Sequence, residues 1–403
     1  ASCYGRGCER SAESGFRNKK SDMAQVKHIF IICGEASGDL NAANLAKDLL
    51  KLNPDLEISG VGGKGLREVA AEIYCDIKEL SVIGFFDALK KLPQFLALQK
   101  LILQKIREEK PDAIILVDFS GFNLRLAKKI NKAIPVIYYI SPQVWASRQG
   151  RVRTIKKYVY KLISIFKFEE EFYRRFGVDV TFVGNPLLDI VQPTMAKQEF
   201  LYKYSLADSK TTIALLPGSR KQEIENILPV MLGASVLISK EMPDTQFVIA
   251  KSPQVGWPVY NRIIHGLDID SIIIEGSTYD CLAAADFCMV ASGTATLETA
   301  LLEKPFVIIY KMSLANYLLY RPQVTVPYIG MVNIVAQRKV IPEFIQFQAK
   351  PHRIAEAALE ILKDPSLMEQ MRKDLSQIRT MLGEKGASLR AAGIILDFLS
   401  KIP

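Results

Sequence analysis

The chain has 403 residues, 49% of them hydrophobic, with a net charge of +9 and three histidines. That length suits two domains more than one core, and no apolar run reaches the roughly 18 residues of a membrane-spanning helix. The basic balance points to an anionic surface or a phosphorylated substrate, while the lack of interleaved basic and aromatic residues argues against nucleic acid.

Residues 1–22 hold five Lys/Arg and three Asp/Glu and no apolar stretch like that of a signal peptide. They read as a disordered arm ending just before Met23, with a zinc role for Cys3 and Cys8 as the alternative. No two of the six cysteines form a C-x-x-C pair and no H-E-x-x-H occurs, so neither a disulfide framework nor a His-ligated metal is expected. The expected cofactor and metal content is none.

From His28 on, short β-branched runs alternate with helical patterns. Strands are expected at 28–33, 57–61, 113–117, 135–140, 161–165 and 180–183, with helices between them, as at 39–51 and 122–132. This rhythm predicts an α/β fold with a parallel sheet covered on both faces. It pauses over residues 192–208 and resumes with strands near 212–216, 246–250, 271–275, 287–290 and 306–310. Two doubly wound domains facing a cleft follow, spanning 23–190 and 191–380, with ligands expected beyond the carboxyl ends of the strands. Three helices follow Pro351. The last, within 381–403, packs back on the N-terminal domain or on a partner subunit, so a homodimer is one expected assembly.

Residues 81–106 break the rhythm. Val82, Phe85, Phe86 and Leu89 belong to an apolar surface fringed by Lys90, Lys91, Lys100 and Lys105. That composition fits contact with an anionic membrane surface, and equally a core-facing amphipathic helix.

The stretch Ala291-Ser292-Gly293-Thr294-Ala295-Thr296-Leu297-Glu298 follows a buried-strand pattern and opens a helix. A strand, a small-residue turn and a helix start aim backbone N–H groups and a positive dipole at one spot, which suits a phosphate. Glu298, one turn in, can accept hydrogen bonds from two sugar hydroxyls. The construction recurs at Leu215-Leu216-Pro217-Gly218-Ser219-Arg220, where Arg220 can clamp a diphosphate. A surface ion pair with Glu223 is the alternative for Arg220, and a solvated helix position the alternative for Glu298. Two such turns suggest a grip on a nucleotide diphosphate. Gly276 to Tyr279, after strand 271–275, border the same region.

Asp118 ends the run 113–117 and is the expected base, with helix capping as its alternative. Glu35, in the loop Gly34-Glu35-Ala36-Ser37-Gly38-Asp39, is the second candidate. Asp268 and Asp270 imitate a metal-binding D-x-D but read as a chance pair on a turn. The basic run Arg148, Arg151, Arg153, Lys156 and Lys157 suits a phosphate, an anionic lipid or simply solvent.

Taken in order, these loops, together with Ser81-Val82-Ile83-Gly84, Asp118-Phe119-Ser120-Gly121-Phe122-Asn123 and Ser141-Pro142-Gln143-Val144-Trp145-Ala146, resemble lipid-A-disaccharide synthases, inverting glycosyltransferases of GT-B type. The resemblance runs from about Val26 to the C-terminus. It departs at Ser120 and Gly121, where the family often has Pro and a second Asp, at Ser147 (often Trp) and at Asn185 (often His). The resemblance implies that UDP-2,3-diacylglucosamine and 2,3-diacylglucosamine 1-phosphate give a β-1,6-linked disaccharide 1-phosphate and UDP, in lipid A (lipopolysaccharide) biosynthesis. It implies work at the cytoplasmic face of the inner membrane, by a peripheral membrane enzyme. It makes Asp118 and Glu35 active-site residues. It implies substrate contacts for Ser37, Gly38, Asn123, Gly218, Ser219, Arg220, Gly276, Ser292, Gly293, Thr294, Glu298 and Asn333. The residues alone also fit a non-hydrolysing UDP-sugar epimerase, another GT-B glycosyltransferase or a non-catalytic UDP-sugar sensor.

Overall fold

A computed structural model describes residues 28–76, 92–267 and 269–401. Val82, Phe85, Phe86, Leu89, Asp268 and the 1–22 arm lie outside the described residues.

Two all-parallel sheets organise the chain. The first has the order β3-β2-β1-β4-β5-β6-β7, from β1 (His28–Ile32), β2 (Glu57–Gly62), β3 (Glu72–Asp76), β4 (Ala113–Val117), β5 (Val136–Tyr139), β6 (Lys161–Ser164) and β7 (Val180–Phe182). The second has the order β10-β9-β8-β11-β12-β13, from β8 (Thr211–Leu216), β9 (Thr245–Lys251), β10 (Ser271–Glu275), β11 (Phe287–Ala291), β12 (Phe306–Tyr310) and β13 (Glu343–Ile345). Central strands such as β4 and β11 are buried along their whole length, which is why they read as continuous apolar runs. The sequence pattern missed β3 and β13. Both are edge strands with one neighbour, and neither is fully buried, so neither carries that apolar signature.

Each sheet reverses its winding once, between β1 and β4 in the first and between β8 and β11 in the second. Loops leaving the carboxyl ends of those strand pairs diverge to opposite faces and leave a crevice, the usual ligand position in open α/β sheets.

From residue 92, the segment with the lysine fringe is the helix Leu92–Glu109. Its Leu98, Ile102 and Ile106 face the first core, and Phe95 packs on Phe119 and Phe122 at 6.0 and 6.1 Å. That part of the segment is thus a core-facing amphipathic helix.

The last helix, Ala387–Ser400, returns to the first sheet. Ala391, Ala392, Ile395 and Leu399 join its core, and the helix lies on Ala36–Leu52. Polar contacts fix the return. The Gly386 amide donates to both Asp189 carboxylate oxygens at 2.9 Å, and the Ser388 hydroxyl donates to Asp48.

Candidate active site

Glu35 follows β1 and precedes the helix Ala36–Leu52; Asp118 directly follows β4. Because β1 and β4 are neighbours, the first sheet's reversal brings these two carboxylates together. Across from them, Arg220 leaves β8 at the second sheet's reversal. Its guanidinium donates to Glu35 at 2.7 Å and to Glu223 at 3.3 Å. Glu35 and Arg220 are 42% and 38% exposed, so this bridge is open to solvent and to exchange with another anion. The Glu223 partner that the sequence offered for Arg220 is present, and the inter-sheet contact to Glu35, which the sequence did not offer, is the shorter.

Asp118 keeps some accessible surface, but protein atoms ring its carboxyl. That burial pushes its pKa up to about 6. The Glu35 charge acts in the same direction, and the Phe119 amide and Arg220 oppose it.

The backbone here is unusual. Asp118 and Phe119 have φ of 47° and 45°, two successive non-glycine residues in the left-handed region. Such residues cost about 1–3 kcal/mol each and persist only where the surroundings enforce them. Three contacts enforce this turn. The Asn123 amide donates to the carbonyls of Val117 (3.3 Å) and Asp118 (2.9 Å). The Tyr138 hydroxyl, from β5, donates to the same Asp118 carbonyl. The Phe119 ring lies against Gly34, where an added Cβ would meet it at 2.2 Å, so only glycine fits there.

Asn123, an expected substrate contact, is 0% exposed; its Nδ2 holds the turn under Asp118, and its buried Oδ1 has no hydrogen-bond partner among the described residues. Asn333, also an expected substrate contact, is held by its own loop. It is 0% exposed; its amide donates to the Ile341 carbonyl and Glu343, and its oxygen accepts from the Val340 and Ile341 amides. Every polar atom of that side chain is spent on the loop before β13. Asn185, too, serves its own turn, accepting from the Leu187 amide at 3.0 Å.

In the second sheet the two small-residue turns differ. At Gly218-Ser219-Arg220 the amides of Ser219 and Arg220 donate to Glu223, at 3.0 and 3.3 Å. The expectation of free N–H groups therefore fails at this turn, whose positive group is the Arg220 side chain. Gly218 has φ +114°, and a Cβ there would lie 2.6 Å from the Glu223 carboxylate. At the other turn, the helix Thr294–Leu301 starts after Gly293 with no side chain capping it. The Thr296 amide donates to the Gly293 carbonyl at 3.2 Å, and no side chain takes up the Thr294 and Ala295 amides. Ser292 donates to the Ile329 carbonyl at 3.3 Å. Gly276 and Gly293 open onto free space, with nothing within 4 Å of an added Cβ.

Glu298 lies one turn below Thr294. The Tyr279 hydroxyl donates to it at 3.3 Å, and burial raises its pKa. Ser37 is exposed and Gly38 buried in the first turn of their helix, where an added Cβ at Gly38 would meet the Cys33 Cβ at 3.6 Å. Asp270 pairs with Lys210 at 2.7 Å.

Sequence reasoning missed two supports. One is Tyr138, hidden in the apolar run Val136–Tyr139. The other is Glu169, 1% exposed, which accepts from the Ser141 hydroxyl (2.6 Å) and the Trp145 indole (2.9 Å). Burial lifts Glu169 to about 7. It anchors the loop that carries residues 145–148 onto the second sheet's side. There Ser147 bridges Val324, the Thr325 amide donates to the Ala146 carbonyl at 3.0 Å, and Arg148 donates to Gln323 at 2.9 Å. The sole signal for Glu169 was a carboxylate on an otherwise core-facing helix position.

Known proteins match this architecture. The chain is 43% identical to a lipid-A-disaccharide synthase of Syntrophus aciditrophicus over 377 residues, 93% of this chain and 98% of that one. Among solved structures, the S. aureus MnaA–UDP structure aligns at a TM-score of 0.64 and 18% identity, over 93% of this chain and 98% of that one. The calicheamicin glycosyltransferase CalG4 aligns at 0.58 and 15%, over 94% and 99%. These two show the shared GT-B fold, two Rossmann-like units, and nothing finer. The family model for lipid-A-disaccharide synthetase matches residues 29–398. The chain therefore belongs to the lipid-A-disaccharide synthase family, glycosyltransferases of lipid A biosynthesis.

Proposed function

We propose that this chain joins UDP-2,3-diacylglucosamine to 2,3-diacylglucosamine 1-phosphate at the junction of its two sheets, with Asp118 as the base. The acceptor's 6-hydroxyl oxygen attacks the anomeric carbon of the donor sugar from the face opposite the diphosphate. Its proton passes to Asp118, the bond to the UDP oxygen breaks, and UDP leaves with the electron pair. Arg220 and the first amides of Thr294–Leu301 stabilise the charge that grows on the departing diphosphate. Glu298 holds the ribose hydroxyls, with Tyr279 fixing its orientation.

The observation that carries this reading is the trio Glu35, Arg220 and Asp118, drawn from both reversal points and sharing one electrostatic field. It also favours Asp118 over Glu35 as base. A base works best with a pKa near the working pH, and Asp118, at about 6, meets that condition. Glu35 is instead held in an ion pair, from which a donor diphosphate can draw Arg220 away.

We further propose a division near residue 190, with residues 23–190 receiving the acceptor, 191–380 holding the UDP-sugar, and 381–403 returning to the first unit. We place the protein peripherally at the cytoplasmic face of the inner membrane. The composition of residues 82–91, where Val82, Phe85, Phe86 and Leu89 are followed by Lys90 and Lys91, supports that placement, whereas the helix from Leu92 faces the core; no helix among the described residues is long and apolar enough to cross a membrane.

The test is direct. Purified protein with donor alone, acceptor alone, and both together should yield disaccharide 1-phosphate and UDP only in the third case, read by mass spectrometry. An epimerised UDP-sugar from donor alone would replace this reading with the epimerase one.

A further inference from the structure

The segment that crosses from the first sheet to the second carries an unusual set of charges. Arg148 has φ +57° and ends the crossing; Arg151 closes the turn Gln149–Arg151; Arg125 projects from the helix Ser120–Ile130, which packs against the helix Val152–Tyr158. Their elements thus gather around the carboxyl edge of β5. Arg151 is half-buried, and burial together with the positive charges of Arg148 and Arg125 holds its guanidinium below its usual range. Among the described residues, none of the three forms an ion pair with a carboxylate. Some other arginines on this molecule do, such as Arg174 with Glu170, Arg262 with Glu225 and Arg338 with Asp374, while others, such as Arg153, do not; what sets these three apart is that they gather together. Arg148 spends its Nε on the neutral Gln323 side chain and is thereby pinned between the two sheets.

Like charges gathered without a counter-charge repel, and a bound anion relieves that repulsion. Planar guanidinium forks suit phosphate oxygens in particular. The position is also specific. Arg151 lies close enough to Tyr138 to influence it, and the Tyr138 hydroxyl bonds the carbonyl of Asp118.

The geometry points to a phosphomonoester subsite formed by Arg125, Arg148 and Arg151, which holds the 1-phosphate of the acceptor sugar while its 6-hydroxyl reaches Asp118. This rests on the transferase reading above and adds the group that orients the acceptor. Arg151 acts on Tyr138, whose hydroxyl bonds the Asp118 carbonyl, which puts the subsite on the same side of the first sheet as the base. Arg125 and Arg148 are exposed and so open to a soluble phosphate, while the half-buried Arg151 and the bond that holds the Arg148 Nε to Gln323 favour this occupant over a lipid headgroup.

The experiment compares a short-chain, soluble acceptor with and without its 1-phosphate, on wild type and on Arg125→Gln, Arg148→Gln and Arg151→Gln. With the phosphorylated acceptor, Arg151→Gln should raise the acceptor KM roughly tenfold or more, and Arg125→Gln and Arg148→Gln should raise it less, as expected for lost charge-assisted bonds. The donor KM should stay within about twofold, because a uniform acceptor-binding loss leaves donor terms alone. With the acceptor lacking phosphate, variants and wild type should be equally poor. Arg151→Lys should recover part of the loss. Equal losses on both acceptors, or no loss on the phosphorylated one, would overturn the subsite. So would variants that detach from phosphatidylglycerol vesicles while keeping a wild-type KM for the soluble acceptor phosphate, since the cluster would then serve headgroups. A wild type that makes no disaccharide from either acceptor removes the transferase reading itself, and the subsite with it; disaccharide formation unaffected by the arginines removes the subsite alone.

Discussion

The exits of β4 and β11 are the same construction used for opposite ends. Each is a fully buried strand at the reversal point of its sheet, followed by a turn and a helix. At β4 the turn places a carboxylate on the exit itself. The helix beyond it begins under a backbone bent through two left-handed residues and clamped by Tyr138, Asn123 and Gly34. At β11 the turn is kept to small residues, the helix start is left uncapped, and the carboxylate is moved one turn deeper, to Glu298. Topology supplies the position in both cases. Side-chain size and the location of one acid decide whether that position accepts a proton or receives a phosphate.

The comparison breaks most severely if the two acids are interchangeable. Asp118→Asn should lower kcat by about 10²–10⁴-fold, the usual contribution of a positioned base, with unchanged UDP affinity. Glu298→Gln should leave kcat at saturating donor nearly intact and weaken UDP binding by about tenfold, the scale of one lost charge-assisted bond. Steady-state kinetics and calorimetric titration with UDP separate the two quantities. If both variants move the same quantity, the exits are not specialised.

A smaller effect tests the clamp. Tyr138→Phe deletes a donor to the Asp118 carbonyl without touching the carboxyl. We expect kcat to fall by about 10–100-fold, since displacements on the order of 1 Å at a reacting group cost that much. UDP affinity should be unchanged, and thermal unfolding should show a loss of about 1–2 kcal/mol. A wild-type kcat with the same stability loss would make Tyr138 structural only.

Most of this site was legible where chemistry sits at the end of an apolar run. Asp118, Glu35 and Arg220 stand just past predicted strands, with Glu298 one turn into the helix that follows another, and a parallel sheet delivers such residues to one edge. The contacts that give them their properties were not legible. Glu35 and Arg220 are separated by 185 positions, and nothing local announces their pairing. Tyr138 looked like core because its ring is core; only its hydroxyl does other work. Asn123 and Asn333 show the opposite limit. Each lies in a motif shared with the family, and residue type could not say whether an amide faces a ligand or a carbonyl. The sheets were legible except at two of their edge strands, β3 and β13, whereas the edge strands β7 and β10 were predicted although neither is continuously buried.

The finest test of the comparison is the coupling between the two exits, carried by Arg220. Asp118 must be ionised to take a proton, so activity should rise as pH climbs through its pKa, which lies near 6 in the unliganded protein. Arg220 lowers that pKa and Glu35 raises it. When a donor diphosphate draws Arg220 away, its opposing charge is spent on phosphate, and Glu35 is left without its partner. Both changes act upward on Asp118. The acid limb of kcat, which reports the substrate complex, should therefore lie at higher pH than the limb of kcat/KM for the donor, which reports the free enzyme. The separation should be less than about one unit, hence less than about tenfold in rate at any pH. Glu35→Gln removes the upward influence and should move the kcat/KM limb below that of wild type. The two limbs of wild type should separate only with a diphosphate donor, because phosphate alone competes for Arg220. If the limbs coincide in wild type and Glu35→Gln shifts neither, the carboxylates of the first sheet do not sense what the second sheet binds, and the two exits act independently.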